Sequence, residues 1–263
     1  MRLTKVVNIL LHTFFNKHII VRTLPKNKVM LNIGSGAWQC DGWTNLDYPT
    51  EWYKKAQIQN AFIPYDIRSD DIPFSDNSVD RIYCCHVIEH IENTHILKMF
   101  SECFRILKKN GIMRITTPDA EFLYTVSKYN TGYWNWRHDW VKRFCNNQHA
   151  IRNVDYLVAE IATPKMLQYI HSSNKEDYIS LFESMDMYDF LEHVTNNLEF
   201  RKEFPGDHIN YWTFEKINTM LTSIGFSSII RSKWSGSCCE YMADILKFDK
   251  THPQMSLYVD VVK

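Results

Sequence analysis

Two glycines and a carboxylate near the start of the chain have the spacing of a nucleotide-type cofactor site. The apolar run Val29–Ile33 leads into a turn that contains Gly34 and Gly36, and a second short apolar run ends at Asp47. In a parallel sheet the strand delivers such a turn, the glycines let the backbone approach the ligand, and the carboxylate binds two ribose hydroxyls. These residues predict a cofactor pocket at the carboxyl end of the first strand.

The turn differs from the dinucleotide fingerprint, which requires a third glycine at position 39, where Gln39 stands. A pyrophosphate needs the close helix N-terminus that such a turn provides. The turn therefore favours a nucleoside ligand over NAD or FAD.

A second motif, His86-Val-Ile-Glu89-His90, matches the inverted zinc-hydrolase pattern. On a helix, residues four apart lie on one face, so that both imidazoles could bind one metal ion. The motif directly follows a buried strand of a nucleotide-type sheet, and the sequence offers no convincing third ligand. We therefore expect no metal.

Hydrophobic periodicity predicts an α/β fold with a parallel sheet. An amphipathic helix is expected from Glu92 to Lys109, ending at Asn110-Gly111. The expected strands are residues 29–33, 44–46, 62–67, 79–85 and 112–117.

The C-terminal part of the chain continues this pattern with one helix and two β-rich runs. Thr213 can cap a helix that ends at Gly225. The β-rich runs, 226–234 and 256–262, are expected to pair as antiparallel strands.

Residues 120–206 interrupt the α/β pattern with a helical segment that contains a cluster of aromatic residues, among them Trp134, Trp136 and Trp140. An insertion after the fifth strand lies over the carboxyl edge of the sheet, where ligands bind. One interpretation is a small helical subdomain with an aromatic core. The other is a lid whose indoles stack on acceptor rings.

Six short motifs follow one another along the sheet-forming part of the chain. They are Leu31-Asn-Ile-Gly-Ser-Gly36, Gly42-Trp-Thr-Asn-Leu-Asp47, Ile72-Pro-Phe-Ser-Asp-Asn-Ser-Val-Asp80, His86-Val-Ile-Glu-His90, Arg105-Ile-Leu-Lys-Lys-Asn-Gly111 and Arg114-Ile-Thr-Thr-Pro-Asp119. Together they resemble class I S-adenosylmethionine-dependent methyltransferases, in particular the bacterial and phage branch linked to surface-glycan synthesis.

The resemblance covers residues 29–119 and 207–263, which would form the S-adenosylmethionine-binding core. It implies a Rossmann-like seven-stranded methyltransferase sheet, mostly parallel with an antiparallel last strand, and a helical insertion after strand 5. Residues 120–206 would then be the helical insert or acceptor lid.

The resemblance also implies nine contacts to S-adenosyl-L-methionine. They are Asn32, Gly34, Ser35 and Gly36 for the methionine part, Asp47 for the ribose, Asp66 and Ile67 for the adenine, and Cys85 and His86 near the sulfonium. Two positions depart from the family pattern: Asn32 replaces an acidic residue, and Trp38 replaces a small one.

Methyl transfer to an alcohol requires positioning and a base, and histidine suits the second task because its pKa lies near neutrality. His208 is the first candidate, because its Pro-Gly-Asp-His loop returns to the sheet near the expected acceptor. His86 is the second and Asp119, which follows the fifth strand, is the third. Each has a structural alternative: fixing the loop, orienting the cofactor or capping a helix. His138 and His149 in the insert remain open.

Composition limits the partners. The formal net charge is zero, which gives no argument for nucleic acid. Residues 1–28 are basic and amphipathic, which is typical either of a helix packed on its own domain or of one resting on an anionic membrane surface. No apolar run reaches the ~20 residues that span a bilayer. We expect a cytoplasmic protein, with peripheral contact to the inner face of the membrane under the second interpretation.

The sequence thus predicts an enzyme that O-methylates a sugar or glycan precursor. The alternatives are a methyltransferase for another small metabolite, a phosphoryl oxygen or an amine, and a non-catalytic cofactor-binding scaffold. The sequence leaves the acceptor, the base and the oligomeric state open.

Overall fold

The computed structural model describes residues 28–129, 131–137, 152–171 and 177–263. The predicted N-terminal helix, apart from Lys28, lies outside the described residues, as do His138, Trp140 and His149. Within the described part of the chain, no helix is both long and apolar enough to cross a membrane.

Seven strands and eight α-helices are described. The strands are β1 (Met30–Ile33), β2 (Trp43–Asp47), β3 (Ile63–Pro64), β4 (Val79–Cys85), β5 (Leu107–Pro118), β6 (Ser228–Arg231) and β7 (Ser256–Val262). The helices are α1 (Lys54–Gln57), α2 (Asn93–Ile106), α3 (Ala120–Lys128), α4 (Asn153–Ile161), α5 (Thr163–His171), α6 (Tyr178–Ser184), α7 (Met187–Thr195) and α8 (Phe214–Ile224). Short 3₁₀ turns cover Ile88–His90, Tyr133–Arg137 and Glu240–Ala243.

All seven strands form one sheet in the order β3-β2-β1-β4-β5-β7-β6. The pairs among β1 to β5 are parallel, whereas β7 runs antiparallel to both β5 and β6. This topology confirms the predicted mostly parallel sheet with an antiparallel last strand. Because β1 lies between β2 and β4, the carboxyl ends of these three strands meet at one edge.

The period-2 pattern of β4 gives the sheet two buried faces. Ile82 and Cys84 belong to a core that contains residues of α2 and α8. Tyr83 lies in a separate aromatic cluster with Phe248, and the indoles of Trp38 and Trp43 pack against this cluster. Trp38, which departs from the family pattern, therefore has a packing role.

The boundary between α2 and β5 differs from the prediction. The helix ends at Ile106 rather than Lys109, because Leu107 adopts an extended conformation with ψ of 135° and pairs with Val79 as the first residue of β5. Leu107 is completely buried as a strand residue. Its apolar character fits the buried stripe of a helix equally well, so it could not distinguish the end of a helix from the start of a strand. The predicted strand at 62–67 is also shorter, with only Ile63–Pro64 paired to β2.

The prediction for α8 is confirmed at both ends. Thr213 Oγ1 accepts a hydrogen bond from the backbone N–H of Lys216 at 3.2 Å. Gly225 ends the helix with φ of +111°, a conformation that favours glycine.

The helices that follow β5 form a core of their own. Leu123 of α3, Leu157 of α4, Phe182 of α6 and Phe190 of α7 are buried together. Trp134 is also part of this core, since it is 3 % exposed and stacks on Tyr156 with ring centroids 5.3 Å apart.

Candidate active site

The turn after β1 presents its backbone to a cavity. The N–H of Gly34 donates to the carbonyl of Leu46 at 2.8 Å, which fixes the start of the turn against β2. Gly34 has φ of +68°, and a Cβ at this position would lie 2.3 Å from a methyl group of Val87. Gly36 has φ of +50°, and a Cβ there would meet no atom within 4 Å. The second glycine therefore leaves open space beside the backbone, where a ligand can approach closely.

Asp47 at the end of β2 organises this turn. Its Oδ2 accepts hydrogen bonds from the N–H of Gly36 at 2.8 Å and from Ser35 Oγ at 3.3 Å, and its Oδ1 accepts from the N–H of Tyr48 at 2.8 Å. A carboxylate has about four acceptor sites. Capacity therefore remains for a ligand hydroxyl beside the turn.

A cavity of about 360 Å³ lies at the carboxyl edge of the sheet. This volume is within the range of roughly 300–1,000 Å³ that is usual for small-molecule sites. All nine residues predicted to contact the cofactor line it: Asn32, Gly34, Ser35, Gly36, Asp47, Asp66, Ile67, Cys85 and His86. The structure thus brings the predicted cofactor set together around one space.

One end of the cavity is closed by aromatic and cationic groups that the sequence did not predict. Arg68 donates two hydrogen bonds to the carboxylate of Asp66, at 2.8 and 2.6 Å, and its guanidinium lies 4.0 Å from the centre of the Phe200 ring. Burial raises the pKa of Asp66, but the hydrogen bonds from Arg68 outweigh this and lower it. Tyr48 packs edge-on against Phe200. Phe200 comes from the far end of the insert, and no local signal in the sequence connects it to Asp66.

The other end carries a cluster of imidazoles around Glu89. His86 follows β4 with φ of +53°, and its N–H donates to the carbonyl of Thr116 at 2.8 Å. Its Nδ1 lies 3.0 Å from Glu89 Oε1 and its Nε2 lies 2.7 Å from Ser256 Oγ. Thr117 Oγ1 donates to Glu89 Oε2 at 3.1 Å. Both ring nitrogens of His86 are thus engaged, and its ring is held in place.

Glu89 is a buried anion in this cluster, with 1 % of its surface exposed. Burial raises the pKa of its carboxyl, but the neighbouring imidazoles of His86, His90 and His208 outweigh that effect and lower it to about 2. The carboxylate is therefore charged at neutral pH.

His90 and His208 share one tautomer. His90 Nδ1 lies 2.9 Å from the carbonyl oxygen of Asp207, and His208 Nδ1 is bonded to the carbonyl oxygen of Glu160. Because a carbonyl can only accept, each Nδ1 carries a proton, and whenever such a ring is neutral its lone pair is on Nε2. The two rings are edge-to-face with centroids 4.8 Å apart.

Burial, followed by the neighbouring His90, lowers the pKa of His208 to about 4, so that its imidazole is neutral at pH 7. His90 lines the cavity, and His208 lies next to it without being part of the lining. His208 was predicted from the sequence as a catalytic candidate, whereas His90 was not predicted as a site residue. The signal for His90 was its position four residues after His86.

Asp119 is placed elsewhere. Its Oδ1 accepts from the N–H of Phe122 at 3.0 Å and caps α3, and its Oδ2 accepts from Arg231 at 2.9 Å. Burial raises the pKa of its carboxyl despite these two hydrogen bonds. Asp119 does not belong to the lining of the cavity, so the structure does not bring the third catalytic candidate to the other two.

The aromatic cluster of the insert is divided between two environments. Trp134 is in the helical core, whereas Trp136 is 42 % exposed. The cavity itself receives Phe200 and Pro205 from the end of the insert. Trp140, the third tryptophan of this cluster, lies outside the described residues.

Comparison with known proteins identifies a domain family. The family described as "Methyltransferase domain" matches residues 35–115, which include the glycine turn, Asp47 and the His86–His90 motif. No curated protein matches the chain.

Several solved structures resemble this chain at low identity. A SAM-dependent methyltransferase from Archaeoglobus fulgidus is 11 % identical, with 98 % of this chain and 94 % of that chain covered and a TM-score of 0.44. One from Mesorhizobium loti is 12 % identical over 91 % of this chain and 94 % of its own, with a TM-score of 0.45. One from Aquifex aeolicus is 10 % identical, with 95 % of this chain and 88 % of that chain covered and a TM-score of 0.40.

The residues around the cavity fit S-adenosylmethionine. The open space at Gly36 allows close approach to the backbone, Asp47 retains acceptor capacity, and the lining is partly apolar through Ile67 and Val87. A ribose diol needs acceptors and an adenine ring needs apolar contact, and this cavity offers both. The sheet topology, the cavity and the matching family model agree: residues 35–115 carry a methyltransferase domain, and the cavity that this domain lines fits S-adenosylmethionine as its cofactor.

Proposed function

We propose that this enzyme methylates a hydroxyl group of a sugar or glycan precursor. The observation that carries the proposal is the imidazole cluster at one end of the cavity, where His90 and His208 both direct their protons to backbone carbonyls and keep lone pairs on Nε2. A hydroxyl is a weak nucleophile until its proton is removed, and neutral imidazole is suited to that task.

The nine predicted residues would hold the cofactor along the cavity. Asn32 and the turn up to Gly36 would contact its methionine part, Asp47 its ribose, and Asp66 with Ile67 its adenine. Cys85 and His86 would lie at the reactive end. When bound, S-adenosylmethionine supplies a methyl group whose carbon forms a bond with the acceptor oxygen while the S–C electron pair returns to sulfur.

The residues of the chain itself position the acceptor and take up its proton. His86 is fixed by Glu89 and Ser256, so that it acts by orienting groups at the end of β4. The proton of the hydroxyl passes to an Nε2 of the His90–His208 pair as the oxygen attacks. Because burial lowers the pKa of His208 to about 4, this ring is in its basic form throughout the neutral range.

A sugar as the acceptor is supported by an aromatic pair close to the cavity. Trp52 and Phe204 are 55 % and 44 % exposed and lie edge-to-face with ring centroids 5.8 Å apart. Their chain neighbours Tyr53 and Pro205 line the cavity. Exposed aromatic faces beside polar groups suit the apolar C–H face of a pyranose ring together with its hydroxyls.

The direct test is methyl transfer from isotopically labelled S-adenosylmethionine to a panel of free sugars, nucleotide sugars and lipid-linked sugars, with amines and phosphorylated metabolites as rival acceptors. We expect a methyl ether on a sugar hydroxyl, and no product from the matching deoxysugar. Transfer only to an amine or a phosphoryl oxygen would replace the sugar proposal. Cofactor binding without transfer to any acceptor class would favour the scaffold alternative.

A matched pair of variants tests the role of the imidazoles. His208→Gln should lower kcat at least tenfold while leaving S-adenosylhomocysteine binding within twofold, because His208 lies outside the cavity lining. His95→Gln, on α2 and away from the cluster, is the control and should change neither quantity. Equal kcat values for the two variants would remove His208 from the chemistry.

We further infer that residues 120–206 form the acceptor-side lid. The insert has its own helical core and contributes Phe200 and Pro205 to the cavity. Hydrogen exchange should slow around Phe200 when S-adenosylhomocysteine and acceptor are both bound. Unchanged exchange in that region would contradict the lid.

The same acceptor class suits a cytoplasmic enzyme whose basic residues 1–28 rest on the inner face of the membrane, near lipid-linked sugars. Co-sedimentation with anionic vesicles should be seen for the full chain and lost on deletion of residues 1–27. Equal sedimentation of both forms would contradict this placement.

A further inference from the structure

We propose that Glu89, His90 and His208 form a binding site for one zinc-class divalent ion at the wall of the cavity. Each of the three side chains offers one ligand atom, and these atoms all lie within 4.8 Å of one another. A four-coordinate ion with bonds of about 2.0–2.2 Å requires ligand atoms in close mutual proximity, and these three side chains are near enough to supply them.

The hydrogen bonds behind the two imidazoles prepare them as ligands. The Nδ1 protons of His90 and His208 go to the carbonyls of Asp207 and Glu160, so that each Nε2 has its lone pair available. Histidines that bind metals almost always donate the proton of their other ring nitrogen in this way, because the bond fixes both tautomer and ring orientation. Within the described residues, neither Nε2 makes a hydrogen bond.

The backbone brings the three ligands together from two distant segments. The carbonyl of Glu89 accepts from the N–H groups of Ile209 and Asn210 at 2.9 and 3.1 Å. The N–H of His208 donates to Thr163 Oγ1 at 3.2 Å. These contacts hold the His208 segment beside the 3₁₀ turn Ile88–His90, so the ligand positions depend on backbone hydrogen bonds as well as on side chains.

The donor set selects the class of ion. Two imidazole nitrogens and one carboxylate oxygen are the ligands of many catalytic zinc sites, whereas Mg²⁺ prefers oxygen. The side chain of Glu89 is 1 % exposed, so its carboxylate places a negative charge beside a divalent ion at this site. His90 lines the cavity, so the remaining coordination positions of the ion would face the acceptor.

The ligand set differs from the one that the sequence motif suggests. In the inverted zinc-hydrolase pattern His86 and His90 would bind the ion, but His86 instead has one ring nitrogen beside Glu89 and the other beside Ser256. From the sequence we predicted no metal, because the motif directly follows a buried strand of a nucleotide-type sheet and no convincing third ligand was evident. His208, 118 positions after His90, is that ligand in the fold.

The role of the ion in methyl transfer rests on the proposed function, whereas its binding does not. With the ion in place, both Nε2 lone pairs would be used for coordination, so the ion would replace the His90–His208 pair as the group that activates the acceptor hydroxyl. The acceptor hydroxyl would then bind the ion, which increases its acidity, and its proton would pass to solvent water.

Binding is tested on the full-length protein after treatment with a chelator and its removal. We expect Zn²⁺ to bind with 1:1 stoichiometry by calorimetry, and Co²⁺ to give a visible spectrum of a nitrogen- and oxygen-coordinated ion. His90→Gln, Glu89→Gln and His208→Gln should each weaken Zn²⁺ binding at least tenfold, and His95→Gln should leave it unchanged. Circular dichroism and S-adenosylhomocysteine binding verify that each variant is folded.

Two results would overturn the site: no Zn²⁺ binding by the wild-type protein, or binding that folded His208→Gln and His90→Gln retain in full. A thiolate spectrum with Co²⁺ would also contradict it. Equal rates of methyl transfer with and without Zn²⁺ would remove the ion from the reaction and leave the proposed function standing. Zn²⁺ binding by a protein that transfers no methyl group to any acceptor would support the metal site and overturn the proposed function.

Discussion

Two groups of ionisable side chains lie on or beside this sheet, and they differ in how completely their polar atoms are used. Arg114 of β5 is fully buried and donates hydrogen bonds to Asp249 and Asp260 and to the carbonyls of Lys233 and Gly236. Asp260 also accepts from the N–H of Cys238 at 3.0 Å. This network is closed, because the guanidinium and both carboxylates have partners within the protein.

The imidazole cluster is equally well anchored on one side but open on the other. Glu89 and the Nδ1 atoms of His90 and His208 have protein partners, whereas their two Nε2 atoms make no hydrogen bond within the described residues. Nitrogen atoms that carry a lone pair and have no protein partner are available to bind a ligand. The closed network stabilises the fold, whereas the open cluster is where we propose that the chemistry takes place.

The largest effect is expected when the closed network is broken. Arg114→Met should lower the free energy of unfolding by about 3–5 kcal/mol, because it leaves two buried carboxylates without their cation. Urea denaturation measures this change. Lys54→Met, which removes the exposed pair with Glu51, is the control and should cost less than about 1 kcal/mol. A small effect at Arg114 would show that burial alone does not identify a structural network.

A second closed group at the start of β4 gives a pH-dependent prediction. Asp80 accepts from Lys28, Lys108 and the N–H of Val29. Burial raises the pKa of its carboxyl, but these hydrogen bonds outweigh that effect and lower it to about 2 from an ordinary value of 3.8. A lowered pKa means that the stabilisation is complete above pH 3.8 and is lost as the pH falls towards 2.

Asp80→Asn should therefore lower the free energy of unfolding by about 2 kcal/mol at pH 7, and by progressively less as the pH falls from 3.8 to 2. Urea denaturation of both proteins across this pH range provides the comparison. A difference that stays constant down to pH 2 would mean that the charge of Asp80 is not the source of the stabilisation.

The smallest effect is expected near the open cluster, at the aromatic pair. Trp52→Ala should raise KM for a sugar acceptor roughly two- to tenfold, because an aromatic contact contributes about 0.5–1.5 kcal/mol. KM for S-adenosylmethionine should stay within twofold, since Trp52 is not part of the cavity lining. Initial-rate kinetics with each substrate varied separately distinguish the two. A change in KM for the cofactor alone would place the acceptor elsewhere.

The sequence predicted the bounds of the strands well where residues typical of turns flank them. The bounds of β4 and β7 are those expected, and the nine predicted cofactor residues line one cavity because the carboxyl ends of parallel strands meet at one edge. The α2–β5 boundary was wrong because Leu107 fits an apolar stripe and a strand equally well.

The part of the site where we propose that the acceptor binds was less predictable, because its residues come together only in the tertiary structure. Phe200 lies 132 positions after Arg68, and His208 lies 118 positions after His90. Their proximity depends on how the helical insert returns to the sheet, for which no local periodicity gives a signal. The resemblance covered the cofactor half of the site and left the insert unassigned.

The most direct measurement is a crystal structure of the protein with S-adenosylhomocysteine bound. We expect the ligand to lie in the cavity beside Gly36 and its ribose hydroxyls to donate hydrogen bonds to Asp47. Its sulfur should point towards the end of the cavity that holds His86 and His90. A ligand bound outside this cavity, or one whose sulfur points towards Asp66 and away from the imidazoles, would contradict the account.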